Sequence, residues 1–211
     1  MNASYGRLPA VAPPSPNART ARGFGGRAFA TRYDRAFYSA MALAAAASVF
    51  VGFYPTYYLR PRFQATGLPL YLHVHGAVFT GWIVLFIVQT TLVAAHRVDL
   101  HRRLGWAVAA WAALMVVVGS TAGILSMRRD FAAGRQIEAM AFLTTPLFSM
   151  AVFGGFVGAA VRYRRQSETH KRLMLLATIG LLDAAVARWP TPIVSTSLGK
   201  AVRINNSTML M

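Results

Sequence analysis

Five apolar runs, each about 20 residues long, constrain the fold more than any other feature of the sequence. About 20 apolar residues in a helix cross the ~30 Å hydrocarbon core of a bilayer. A helix satisfies its own backbone hydrogen bonds in lipid, whereas an open strand edge does not. The sequence therefore predicts an all-α, polytopic transmembrane helix bundle with five spans, at residues 36–58, 69–95, 104–126, 138–161 and 173–189.

Composition agrees with a membrane location and excludes several classes of function. Only 13% of the 211 residues are charged, against roughly 25% in soluble domains. In a soluble protein the net charge of +16 would indicate a nucleic-acid partner. Here the cations separate apolar runs, so we expect a lipid bilayer as the partner and no nucleic acid. The chain has no cysteine, which excludes disulfides and thiolate metal sites.

The two ends of the chain differ from its centre. Residues 1–35 are rich in arginine, proline and glycine and have no acid before Asp34, which is typical of a disordered basic tail. Residues 36–190 form the predicted bundle, and residues 191–211 form a polar C-terminal tail. Fourteen Lys and Arg residues fall on the side of the N-terminus and eight on the other. The positive-inside rule therefore predicts a cytoplasmic N-terminus.

A short motif occurs twice, 69 positions apart, as His101-Arg-Arg-Leu and His170-Lys-Arg-Leu. The same shift moves the second predicted span nearly onto the fourth, and the third onto the start of the fifth. We therefore expect one leading helix followed by two hairpins of the same orientation, a parallel repeat about the membrane normal.

The repeat places His101 and His170 at equal depth, at the cytoplasmic ends of two helices. Two histidines on facing helices can ligate the iron of a b-type haem, and arginines such as Arg103 and Arg172 can pair with its propionates. This arrangement would make the protein an electron-transfer subunit. The alternative is that these histidines anchor the helix ends to lipid headgroups, in a non-catalytic membrane subunit.

A second polar cluster is predicted near the outer surface. His73 and His75 open the second span, and Asp183 and Arg188 lie in the fifth. Asp183 and His75 are at similar depth, so we expect them to be in contact, with His73 and Arg188 nearer water. Such a cluster could bind a quinone head group or relay a proton. It could equally be a structural hydrogen bond between two helices.

Small-residue patterns favour close helix packing. Gly119 and Gly123 are separated by three residues, as are Gly154 and Gly158. Such spacing lets two helices approach closely. It is compatible with a compact bundle, a homo-oligomer or a subunit of a larger membrane complex.

Residues 69–190 resemble a family of uncharacterised bacterial multi-helix membrane proteins. The resemblance rests on the segments HVHG, HRRLG, HKRLM and DAAVARWP, in that order. It implies a multi-pass protein of the bacterial inner membrane, and no activity. A looser architectural likeness is to cytochrome-b-type membrane oxidoreductases, whose central helices carry haem-ligating histidines; His101 and His170 match one such pair, and His75 lacks a partner.

Overall fold

The computed structural model describes residues 16–63 and 67–189. Within these residues the chain is helical and has no strand. The elements are α1 (Pro16–Phe53), a π-helical turn (Tyr54–Tyr58), α2 (Arg60–Phe63), α3 (Leu70–Ala94), α4 (Val98–Ala132), α5 (Gln136–Arg162), α6 (Ser167–Ile179) and α7 (Asp183–Val186).

Four helical segments are long and apolar enough to cross a membrane: Arg32–Tyr58, Leu70–Ala94, Val98–Ala132 and Phe142–Arg162. They correspond to the first four predicted spans, and the class of helical membrane protein is confirmed at this level. The predicted fifth span is not a continuous helix. α6 has 13 residues and ends at Ile179, and a turn leads into the four-residue α7. Five spans and an internal repeat are therefore not confirmed.

The N-terminal segment also differs from expectation. Helix α1 begins at Pro16, so the second half of the predicted disordered tail at residues 1–35 is helical. Residues 1–15 and the predicted C-terminal tail at residues 191–211 lie outside the described residues.

The helices pack largely in chain order. α3 lies against α4, α4 against α5 and α5 against α6, while α1 packs on α3, α6 and α7. The most deeply buried large side chains, Trp82, Met115, Phe153 and Thr178, come from α3, α4, α5 and α6. The core therefore lies where these four helices meet. The Trp82 indole N–H donates to the Thr178 hydroxyl at 3.3 Å and joins α3 to α6.

Glycines allow two of the close helix contacts. The Cα of Gly52 in α1 faces α7 so closely that a Cβ there would lie 2.3 Å from the Ala185 carbonyl oxygen. In α4, Gly119 similarly faces the Met150 sulfur of α5. On α5, by contrast, a Cβ at Gly155 or Gly158 would meet nothing within 4 Å.

Candidate cofactor-binding site

The repeated motif occupies the same helical position in both copies. His101 is the fourth residue of α4, and His170 is the fourth residue of α6. Each follows an acid two positions earlier, Asp99 in α4 and Glu168 in α6. The two imidazole rings face each other with centroids 6.2 Å apart and planes at 81°. The bundle thus brings together the two histidines that the motif spacing singled out.

One of the two rings is held by a backbone hydrogen bond. Nδ1 of His170 lies 2.9 Å from the carbonyl oxygen of Ala160 on α5. A carbonyl oxygen only accepts, so Nδ1 must carry the proton and donate it. The ring is then neutral, or protonated on both nitrogens; in the neutral form Nε2 has a lone pair for a metal. Metal-binding histidines usually have this arrangement.

The second ring is buried differently. Nδ1 of His101 is shut off from solvent and has no hydrogen-bond partner within residues 16–63 and 67–189. Gln89 of α3 is the polar side chain beside it, and its Nε2 donates to the carbonyl oxygen of His101 at 3.4 Å. The Oε1 atom of Gln89 is also buried, and it too lacks a partner in the described chain.

A cavity of about 950 Å³ is lined by both histidines. Its walls are mainly apolar and come from α3 to α6, including Trp82, Phe86, Val108, Val157 and Met174. Gly105, one turn after His101, also lines it, and a Cβ built there would meet nothing within 4 Å. The face of α4 beside His101 is therefore flat and open, as close approach of a planar ligand requires.

Cations line the same cavity, although they are not the two arginines predicted from the motif. The lining residues include Arg102, Arg164, Arg165 and Lys171, and do not include Arg103 or Arg172. The reason is helical geometry, since successive residues turn by about 100°. Arg103 and Arg172 each come two residues after a histidine and therefore point about 200° away from it.

Lys171 ties α6 to α1 at the edge of the cavity. Its Nζ donates to Asp34 at 2.5 Å and to Glu168 at 2.7 Å. Burial alone would lower the pKa of Lys171, but the two carboxylate hydrogen bonds outweigh it and raise this pKa above its ordinary value. Lys171 is thus committed to an ion pair, and Arg102, Arg164 and Arg165 are the exposed cations at the cavity.

The donor set limits which metal centre these side chains can hold. The described residues contain no group of three or more His, Cys, Asp or Glu that could hold a metal ion. Two imidazoles alone fall short of the four ligands usual for a protein-bound zinc ion. They match a metal whose other ligands arrive with a cofactor, as the four pyrrole nitrogens of a haem do.

The predicted outer cluster does not form as expected. In the described chain no ion pair or hydrogen bond joins His75 to Asp183. The His75 ring stacks on Phe79 with centroids 4.1 Å apart, and its Nδ1 is buried without a partner among the described residues. The exposed His73 lies beside the Tyr57 ring, and the Arg188 guanidinium lies 5.0 Å from the Phe53 ring.

Asp183 instead lies at the break after α6. Its Oδ1 accepts the backbone N–H of Ala184 at 2.6 Å, as the first residue of α7. It lines a notch of about 410 Å³ between α5 and the break, together with Thr144, Thr145, Phe148, Ser149, Val152 and Gly180. The contact with His75 was expected from depth along one straight helix, and the break at Gly180 removes that premise.

The sequence alone did not identify Gln89 or Gly105 as site residues. Gly105 has a detectable signal, because it follows His101 by four residues and so shares its helix face. Gln89 is the only amide in its apolar span, which is a weaker signal. Comparison with known proteins finds no family model, no curated protein and no solved structure that matches this chain.

Proposed function

We propose that this integral membrane protein binds one b-type haem between His101 and His170 and transfers electrons. The observation that carries the proposal is the 6.2 Å between the two ring centroids, on two different helices. Two imidazole nitrogens on opposite sides of one metal, each about 2.0 Å from it, put the ring centres about 6 Å apart. The rings therefore already stand at the separation that axial ligation requires.

Three properties of the surrounding residues support a haem over a bare metal ion. The cavity of about 950 Å³ has apolar walls for a porphyrin and exposed arginines for its carboxylates. Gly105 presents no side chain that would block the ring, and the Ala160 carbonyl holds His170 by Nδ1. When bound, the haem would supply a one-electron iron couple; the chain's own part is to fix the ligands and exclude water.

The distribution of Lys and Arg sets the orientation in this proposal. It puts the haem near the cytoplasmic surface of a bacterial inner membrane, because His101 and His170 follow basic loops.

The deciding experiment is a reduced-minus-oxidised absorption spectrum of the protein purified from cells supplied with haem. We expect a sharp α-band that is lost in His101→Ala and in His170→Ala. His73→Ala is the matched control, since His73 is exposed and lies at the other end of α3. A wild-type protein that is folded, monodisperse and colourless, even after titration with haem, would refute the proposal.

A second candidate function, proton relay through the membrane, is favoured by the break beside Asp183. Ionisable residues in a membrane segment generally have a functional role. Here the carboxylate faces the hydroxyls of Thr144, Thr145 and Ser149 across the notch. Proton flux into liposomes, followed with a pH-sensitive dye, should fall in Asp183→Asn and persist in the control Asp99→Asn. Equal flux in both variants and in protein-free liposomes would exclude this function.

A further inference from the structure

Two unpaired polar atoms lie next to each other at the base of the cavity. Gln89 is 8% exposed, and its Oε1 is a buried acceptor without a donor in the described residues. Nδ1 of His101 is a buried ring nitrogen in the same condition. The two side chains are already linked, since Nε2 of Gln89 donates to the His101 carbonyl oxygen. Buried polar groups are nearly always paired, so this coincidence needs an explanation.

The two atoms have complementary chemistry. An amide oxygen only accepts a hydrogen bond, and Nδ1 of a neutral imidazole can donate one. The terminal torsion of glutamine is soft, so a modest rotation of the amide changes the direction of Oε1 at little cost. Pairing Oε1 with Nδ1–H would satisfy both orphan atoms at once.

The other histidine provides a direct precedent within this chain. His170 donates its Nδ1–H to a group on α5, the helix that precedes its own. Gln89 is on α3, the helix that precedes that of His101. Gln89 and Ala160 are 12 and 10 residues before their respective histidines. Each histidine therefore has one acceptor on the preceding antiparallel helix, in one case a backbone carbonyl and in the other a side chain.

We propose that Gln89 is a positioning residue for His101, accepting its Nδ1–H and fixing the tautomer whose Nε2 faces the cavity. This inference rests on the proposed haem function and assigns the ligand support for that site. A hydrogen bond from Nδ1 makes an imidazole a stronger electron donor to a metal. The acceptor at position 89 should therefore tune the reduction potential of the bound iron.

The test replaces Gln89 by an acceptor of different strength and by a side chain with none. Gln89→Glu strengthens the acceptor and should lower the reduction potential of the purified haem protein. Gln89→Leu removes the acceptor and should raise it. Thr90→Val is the matched control, because Thr90 lines the same cavity but its hydroxyl donates only to carbonyls of its own helix. Its potential should equal that of the wild type.

A second measurement does not depend on a bound haem. Nitrogen-15 NMR of histidine-labelled, haem-free protein should show the Nδ1–H tautomer for His101 in the wild type. Gln89→Leu should lose that tautomer, and Gln89→Glu should retain it. If Glu and Leu variants leave both the tautomer and the potential unchanged, the inference is wrong although the haem proposal stands. If the wild type shows the Nδ1–H tautomer but never binds haem, the positioning contact is upheld and the proposed function fails.

Discussion

Filling the open face of α4 at Gly105 should separate cofactor binding from folding. A leucine at this position would extend into the cavity, because a Cβ there meets no atom within 4 Å. Glycine within a helix costs about 1 kcal/mol relative to good helix formers such as leucine. Gly105→Leu should therefore stabilise the haem-free protein by up to about 1 kcal/mol.

The same substitution should weaken haem binding. Extra side-chain atoms forced into a filled site cost about 1–3 kcal/mol. Since every 1.4 kcal/mol is tenfold in a dissociation constant, this corresponds to a loss of affinity of about 5- to 150-fold. A variant that becomes more stable while losing its ligand is an unusual combination, and a general folding defect cannot produce it.

The assay titrates haem into the apoprotein in detergent micelles and follows the Soret band, with denaturation of the same samples by SDS. Gly155→Leu is the matched control. Gly155 is on α5, also has nothing within 4 Å of a built Cβ, and does not line the cavity. It should gain stability without losing haem. Wild-type affinity in Gly105→Leu would refute the assignment of this helix face to the cofactor.

Three further substitutions test the packing around the site, each by SDS denaturation. Gly52→Ala should destabilise the protein by about 1–2 kcal/mol, because the new Cβ would collide with the Ala185 carbonyl; Gly158→Ala, on an open face, should not. Thr178→Val should cost about 1 kcal/mol by removing the acceptor of the Trp82 indole N–H, whereas Thr178→Ser should retain most of the stability. A double-mutant cycle of Lys171→Met and Asp34→Asn should give a coupling below about 1 kcal/mol, since the pair is partly exposed. Because the pKa of Lys171 is raised, this coupling should be fully present at neutral pH and disappear only as the pH rises through that raised value.

The class of fold was predictable from the sequence because apolar length is sufficient to indicate a membrane helix. Four runs became the four long helical segments. The fifth run failed for a local reason that an average over 17 residues conceals. It contains Gly180, where α6 ends, and Asp183, which begins α7. Overall hydrophobicity gave no sign of this break.

The histidine pair was predictable because a repeated motif at equal helical depth carries positional information. Its cationic partners were not, although the 100° rotation between residues would have favoured Arg102 and Lys171 over Arg103 and Arg172. The role of Gln89 was out of reach of sequence patterns. It depends on which face of α3 meets the first turn of α4, and that is decided by side-chain packing across helices.

The two interpretations of the histidines demand different surroundings. A headgroup anchor works by presenting its polar atoms to the membrane surface. The exposed arginines Arg103 and Arg172 have that character at the same level of the bundle. His101 and His170 instead are partly buried, face each other, and have Nδ1 atoms turned into protein. Anchoring explains the arginines and leaves the orientation of both histidines unexplained, whereas a shared axial ligand accounts for their separation, their depth and the acceptor behind His170.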